Sequence, residues 1–294
     1  MRNSGTVVRR STQTDAAKHK RTVSPTPKKS LGQCFLTDEN IARRIVEALE
    51  ISKGDVVVEI GPGRGILTGY LADSPARILA VEIDQRLVPR LKQSFSKHDN
   101  VEIRHADFLD IELAQLIPEG PAKLVGNLPY HLVSEVLFKL FRHARIARED
   151  ENIPWVERAV LMMQHEVAQR VISAEGNKTF GILSIFYQLE ARVESLFRVP
   201  ASCFRPKPKV DGEVLRFFPY REPPVYPKNW PMLERIVRWC FHRRRKMLRT
   251  TLASLDGVHP FWQEVSLDFR RRPEELSPAE WVMLADGIWQ RLQR

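Results

Sequence analysis

The run Val56-Val57-Val58-Glu59-Ile60 leads directly into Gly61-Pro62-Gly63-Arg64-Gly65, and no other stretch constrains the fold of this chain as much. A short apolar, β-branched run reads as a buried strand. Glycines directly after it let the backbone turn tightly and approach a ligand with no Cβ in the way. Downstream, the apolar pattern alternates. A helix is predicted from Ile66 to about Ala72, a strand over Arg77 to Ile83, and a helix over Gln85 to Ser96 with Pro89 near its first turn. Strands follow at Val101 to His105 and Lys123 to Gly126, the latter leading into a helix that runs through Phe141. Strands alternating with helices imply a parallel sheet covered on both faces. Further strand patterns at 158–164, 191–199 and 213–218 bring the expected number to seven.

The glycine spacing separates several cofactor readings. A dinucleotide fingerprint needs a third glycine at position 66, which is Ile, and a Walker loop needs Gly-Lys-Ser/Thr, which is absent. G-x-G-x-G after a first strand is the spacing of S-adenosylmethionine (SAM) methyltransferases. A merely structural tight turn remains the other reading of the loop taken alone. Two acids at the ends of the next strands favour the cofactor reading. Glu82, followed by Ile83, can accept both ribose hydroxyls, and Asp107, followed by Phe108, can accept from an adenine amine. Ligands of open α/β sheets bind at the carboxyl ends of the strands, where all three features fall.

The fourth strand ends in Asn127-Leu128-Pro129-Tyr130. An adenine N6 amine is a poor nucleophile because its lone pair is delocalised into the ring. A site that methylates it needs acceptors for the two N–H bonds. The Asn127 side-chain carbonyl and the Leu128 backbone carbonyl can supply them as preorganised dipoles. Pro129 stiffens the turn, and Tyr130 offers a ring for a base to stack on.

Charge is uneven along the chain. The 294 residues carry a net charge of +10. Residues 1–30 hold eight Lys/Arg against one acid, Asp15, which leaves +3 to the rest. Residues 1–28 read as a disordered basic tail. The segment is Arg-rich and acid-poor like a targeting peptide but shows neither amphipathic period nor apolar core. A second basic cluster, Arg243, Arg244, Arg245, Lys246 and Arg249, lies among Phe241, Leu248, Leu252 and Leu255 at helical spacings. It reads as an amphipathic helix over 243–255, and by itself serves a solvated face and a nucleic-acid face equally well. Arg270, Arg271 and Arg272 form a third cluster, and three clusters favour a polyanionic partner.

Pro219, Pro223, Pro224, Pro227 and Pro231 crowd one stretch, which reads as a linker. Helical patterns alone follow it, at 229–240, 243–255, about 259–265 and 278–292. Ser277, Pro278 and Glu280 form a capping box for the last of these. The predicted fold is therefore α/β: a Rossmann-like, seven-stranded SAM methyltransferase domain over 29–222 and a small all-α domain over 223–294. Three distant cysteines, Cys34, Cys203 and Cys240, argue against a disulfide framework and fit a reducing cytoplasm. No His or Cys spacing suggests a metal, and no apolar run is long enough for a membrane span.

At these motifs the sequence resembles the ribosomal RNA adenine dimethyltransferases, in particular the branch that modifies small-subunit RNA. The likeness runs from about Lys28 to Leu292. Lys29-Ser30-Leu31-Gly32-Gln33-Cys34-Phe35-Leu36 is similar to a family segment, Gly-Gln-Asn-Phe-Leu, that folds over the cofactor. The resemblance puts Gln33, Cys34 and Leu36 against SAM, with Cys34 standing where the family has Asn. Leu161 to Arg170 resembles a second family segment, with His165 at a position more often Lys. Phe204-Arg205-Pro206-Lys207-Pro208-Lys209-Val210-Asp211 resembles a third, which implies that Phe204 is a second ring sandwiching the target adenine against Tyr130. Phe241 through Leu255 resembles a basic C-terminal helix, implying RNA contact by Arg243, Arg244, Arg245, Lys246 and Arg249.

The implied activity is transfer of methyl groups from SAM to two adjacent adenosines in the 3′-terminal hairpin loop of small-subunit RNA, leaving S-adenosylhomocysteine (SAH). The substrate would be a ribosome assembly intermediate and the enzyme a cytoplasmic monomer without metal. RNA readers usually target loops with splayed bases, and base-modifying enzymes turn the target out of its stack. Two other readings stand beside this one. They are a large-subunit dimethyltransferase of the macrolide-resistance type, and a non-catalytic assembly factor that kept the fold.

Overall fold

The computed structural model describes residues 27–28, 32–117, 121–129, 132–258 and 261–293. The basic tail expected at 1–28 lies almost wholly outside the described residues, and so does Tyr130. Seven strands form one sheet in the order β4-β3-β2-β5-β6-β9-β7. These are β2 (Val56–Ile60), β3 (Arg77–Glu82), β4 (Val101–His105), β5 (Ala122–Asn127), β6 (Val156–Gln164), β7 (Ala191–Val199) and β9 (Gly212–Pro219). All pairings are parallel except those of β9, which runs antiparallel to both β6 and β7. A separate two-stranded ribbon pairs β1 (Phe35–Leu36) with β8 (Phe204–Arg205). Seven strands were expected in the sheet and seven are present.

The chain steps outward from β2 to β3 and β4, then returns to β5 on the other side of β2. That reversal opens a crevice above β2, where an open α/β sheet binds its ligand. Every residue of β2 is buried, as expected for a central strand covered on both faces. On one face lie α1 (Glu39–Glu47) and α2 (Ile66–Ala72), contributing Ile41, Ile45, Leu67 and Leu71 to a cluster with Val57, Val125 and Val160. On the other, α5 (Val133–Glu149) and α7 (Ile182–Glu190) pack with Val58, Leu124 and Leu161. That second cluster continues into Leu233, Ile236, Val237, Trp281 and Ile288 of the C-terminal helices.

Some element boundaries differ from the sequence reading. The helix after β3, α3, spans only Val88–Ser94, because Asp84 turns the chain first. Its side chain accepts from the Arg86 amide (3.2 Å) and its carbonyl from the Leu87 amide (2.9 Å). Helix α5 runs past Phe141 to Glu149, since Ala144 and Ala147 extend its buried face. Between α4 (Leu113–Leu116) and the C-terminal part, α6 (His165–Ile172) and α7 were not foreseen.

In the C-terminal part, α8 (Trp230–His242) is capped by the Asn229 side chain, which accepts from the Met232 amide at 2.7 Å. The expected basic helix over 243–255 is not continuous. The chain leaves helical geometry at Arg243 (φ −119°, ψ 39°) and resumes only in the five-residue α9, Leu248–Leu252. No apolar side chain falls between Phe241 and Met247 to bury a face there, so Arg243 to Met247 form a turn. Helix α10 (Pro278–Leu292) carries the expected capping box: Ser277 Oγ accepts from the Glu280 amide and Glu280 Oε2 from the Ser277 amide. All three cysteines are free. Among the described residues, no helix is long and apolar enough to cross a membrane.

Candidate active site

Three strand ends and one crossing segment build a cleft at the carboxyl edge of the sheet. The glycine loop leaves β2 with Gly61 at φ +65° and Gly63 at φ +60°, conformations that exclude most side chains. A Cβ on Gly63 would also stand 2.9 Å from Cδ1 of Phe35, so the aromatic ring fits only against a bare backbone. At the end of β5, Gly126 is required for a different reason, since a Cβ there would meet the Ile60 carbonyl oxygen at 2.9 Å. The missing side chain lets β5 approach β2 where both strands deliver their functional ends.

Glu82 closes β3 with its carboxylate almost fully buried. Oε2 accepts from the Gly63 amide at 2.9 Å and Oε1 from the Asp84 amide at 2.8 Å. Burial pushes its pKa up, while those two N–H groups pull the other way. A carboxylate oxygen has two acceptor sites, so each still has capacity for a ligand hydroxyl. Beside it, Ile83 is 43% exposed, an apolar surface open to a flat ring.

The segment Gly32 to Leu36 crosses this edge. Gln33 Nε2 donates to Asp84 Oδ2 (3.0 Å) after β3, Phe35 lies on Gly63 after β2, and the Cys34 carbonyl accepts from Asn127 Nδ2 (3.1 Å) at the end of β5. The Arg64 guanidinium stands 4.7 Å from the Phe35 ring centroid, an added cation–π contact. The carbonyl oxygen of Cys34 can only accept, so the amide nitrogen of Asn127 must face it and Oδ1 must turn the other way. The contact made by position 34 is thus a backbone one, open to Cys as to Asn.

The cleft spans about 590 Å³ when the open solvent at its mouth is counted. Gln33, Cys34, Gly61, Gly63, Glu82 and Ile83 line it on one side, and Asn127, Leu128 and Pro129 on the other. A buried acceptor for vicinal hydroxyls, an exposed apolar wall for a heterocycle and an open backbone turn suit a nucleoside-bearing cofactor such as SAM. Among the described residues, no group of three or more His, Cys, Asp or Glu could hold a metal.

Other predicted residues lie elsewhere. Asp107 follows β4 beside β3, where the Ala106 amide meets the Glu82 carbonyl at 3.1 Å, and its Oδ1 accepts from the Leu109 amide at 2.9 Å. Neither Asp107 nor the buried Phe108 lines the cleft. Leu36 is a core residue, 4% exposed. Phe204, expected as an open stacking ring, is corrected to a core position. It is 2% exposed, sits in the ribbon opposite Leu36, and packs in the cluster that holds Met162 and Val214. The β1–β8 pairing turns that ring inward, something sequence spacing does not reveal. In the basic turn, Arg243, Arg245 and Lys246 are exposed and Arg249 is exposed on α9. Arg244 is tied to Glu274 (3.5 Å) and the Asn177 carbonyl (3.3 Å).

Sequence reasoning missed Glu59 and Asp84. Glu59 is buried beneath the glycine loop, accepts from Thr68 Oγ1 at 2.7 Å, and has its pKa pushed up to about 7 by burial. A lone acid inside an apolar strand was the available signal. Asp84 is held well below the usual carboxylate range, chiefly by hydrogen bonds from Arg86.

The fold and cleft define a Rossmann-like SAM-dependent methyltransferase. Comparison with known proteins agrees and narrows the class. Residues 25–284 match the family model for ribosomal RNA adenine dimethylase. The chain is 38% identical over 264 residues to ribosomal RNA small subunit methyltransferase A of Maridesulfovibrio salexigens, covering 89% of this chain and 95% of that one. It is 38% identical over 262 residues to the protein of the same name from Pseudomonas aeruginosa, covering 89% and 94%. Among solved structures it resembles a dimethyladenosine transferase from Plasmodium falciparum (25% identity, TM-score 0.70, covering 85% of this chain and 95% of that one). It also resembles the 23S rRNA methyltransferase ErmE (27% identity, TM-score 0.64, covering 87% and 100%). The chain belongs to the ribosomal RNA adenine dimethylase family. It is a SAM-dependent rRNA adenine dimethyltransferase.

Proposed function

We propose that this enzyme dimethylates N6 of two adjacent adenosines in the 3′-terminal hairpin loop of 16S rRNA. Its substrate is a small-subunit assembly intermediate, and it works as a cytoplasmic monomer. Relatives 38% identical over nearly their whole length carry the small-subunit name, which favours this target over the large subunit.

SAM, when bound, supplies an electrophilic methyl group on a positively charged sulfur. The chain's own residues do the rest. Glu82 accepts the ribose hydroxyls, Ile83 backs the adenine of the cofactor, and Gln33, Cys34, Gly61 and Gly63 enclose it. Asp107, outside the cleft lining but at the end of β4 next to Glu82, is the acceptor for the cofactor's adenine amine. Asn127 Oδ1 and the Leu128 carbonyl accept the two N6–H bonds of the target. These dipoles favour the positive charge that builds on nitrogen during attack. In-line geometry then matters more than a strong base, and the ammonium product sheds its proton to water. Tyr130 stacks on the target base. Residues 29–222 act as the catalytic unit. The helical unit, 223–294, grips phosphates with Arg243, Arg244, Arg245, Lys246 and Arg249.

The observation that carries this reading is the fixed Asn127 amide at the edge of the cleft, with its nitrogen committed to the Cys34 carbonyl. The test is nucleoside mass spectrometry on undermethylated small- and large-subunit particles incubated with the enzyme and SAM. N6,N6-dimethyladenosine in small-subunit RNA is expected. Its appearance in large-subunit RNA instead would transfer the assignment to the macrolide-resistance type. Absence from both would point to the assembly-factor reading.

A further inference from the structure

The geometry points to Asp84 as a positioning residue for catalysis: through Gln33 it holds the crossing segment at the register that orients the Asn127 amide. The inference rests on the proposed role of Asn127 Oδ1 and adds a residue that acts on it from another strand.

The connection can be followed atom by atom. Arg86 donates from Nε to Asp84 Oδ1 (2.9 Å) and from a terminal nitrogen to Oδ2 (2.6 Å). This two-pronged contact fixes the plane of a carboxylate whose side chain is fully buried. Asp84 Oδ2 then accepts from Gln33 Nε2 at 3.0 Å, while Gln33 Oε1 accepts from the Lys28 amide at 2.8 Å. Both ends of the Gln33 side chain are therefore committed. One residue later, the Cys34 carbonyl takes Asn127 Nδ2. The segment is pinned at the end of β3 and again at the end of β5, with β2 and its glycine loop between them.

An Asn side chain can present either oxygen or nitrogen to a given side by a half-turn of its amide. Only the oxygen can accept from an amine; the NH₂ group would oppose the target's own N–H bonds. Among the described residues, the contact that selects the productive half-turn is a carbonyl on the crossing segment. If the segment loses its anchor at Asp84, that carbonyl moves and the selection weakens. A catalytic acceptor on β5 is thus governed by a carboxylate two strands away. The side chain at position 34 takes no part in this selection, which is consistent with Cys at that site.

The test uses Gln33→Glu, which sets carboxylate against carboxylate, and the double variant Gln33→Glu/Asp84→Asn, which restores the bond between positions 33 and 84 with donor and acceptor exchanged but gives up the Arg86 bond to Oδ2. Two readouts apply to the full chain. Hydrogen exchange of the Asn127 side-chain amide is followed by NMR without cofactor or RNA, assigned by its loss in Asn127→Ala. Turnover is compared with SAH affinity by titration calorimetry. In Gln33→Glu, exchange of the Asn127 amide should accelerate and kcat should fall about 10–100-fold, exceeding any rise in the SAH Kd. The double variant should recover both in part, since one of the two Arg86 bonds at position 84 is lost. A folded Gln33→Glu protein whose Asn127 amide is unchanged would overturn the inference, as would a double variant that folds but recovers neither. A wild type showing the amide coupling but no adenosine methylation would refute the proposed function alone.

Discussion

Replacing Gly63 by Ala puts a methyl group where the Phe35 ring already stands, and the consequence can be worked from the structure. The first cost is local. At φ +60° an L side chain crowds its own carbonyl, worth about 1–2 kcal/mol. The second is steric. The new Cβ would lie 2.9 Å from Cδ1 and 3.1 Å from Cε1 of the ring, where ordinary contact begins near 3.4 Å. The ring must retreat by about 0.5 Å. It has little room, being packed with Leu87, Val88 and Leu91 and faced by Arg64. Overpacking of that kind costs about 1–3 kcal/mol, for a total of about 2–5 kcal/mol.

A double-mutant cycle separates the two costs. Phe35→Ala alone should destabilise by about 3–5 kcal/mol, as burial of its ring implies. Gly63→Ala/Phe35→Ala should be more stable than the sum of the singles by the steric part, about 1–3 kcal/mol. Gly54→Ala, at φ +92° with nothing within 4 Å of its Cβ, should show the backbone cost alone. Urea unfolding of the cofactor-free protein reads all four. Additivity within about 0.5 kcal/mol would mean that the ring does not rest on Gly63, and the crossing segment would not be seated as described.

The other predictions concern charge and chemistry. Glu59 keeps its proton to about pH 7 in the folded protein but loses it near 4.5 when unfolded. Its contribution is therefore complete below pH 4.5 and declines as pH rises through 7. Glu59→Gln should gain stability relative to wild type across that window, by on the order of 3 kcal/mol; parallel unfolding curves would refute this. Asn127→Ala should lower kcat by about 10²–10³ with SAH affinity nearly intact, and a fully active variant in a steady-state assay would remove the proposed acceptor. Arg245→Gln/Lys246→Gln should flatten the dependence of log K for RNA on log salt by roughly 0.7–0.9 for each phosphate left unneutralised. An unchanged slope would place the turn away from RNA.

Much of this site is visible along the chain because it depends on residues acting locally. Apolar β-branched runs bounded by glycine or proline predict strands whatever surrounds them, and alternation with helices predicts their parallel stacking. Once those strands are parallel, the residues after their carboxyl ends must share one edge. Gly61, Glu82 and Asn127 are far apart in sequence but gather at one cleft for that reason. The capping box at Ser277 and Glu280 was legible on the same grounds.

Tertiary structure alone decided the rest. The run 242–246 has no apolar side chain to bury a helical face, but only the fold shows that the chain turns there rather than carrying a solvated helix. Nor could the sequence show that Phe204 faces inward, since the side a strand residue presents is settled by its pairing with β1. Above all, the orientation of Asn127 comes from the carbonyl of Cys34, 93 positions away. Backbone carbonyls belong to every residue alike, so no pattern of side chains records which of them will meet across a fold.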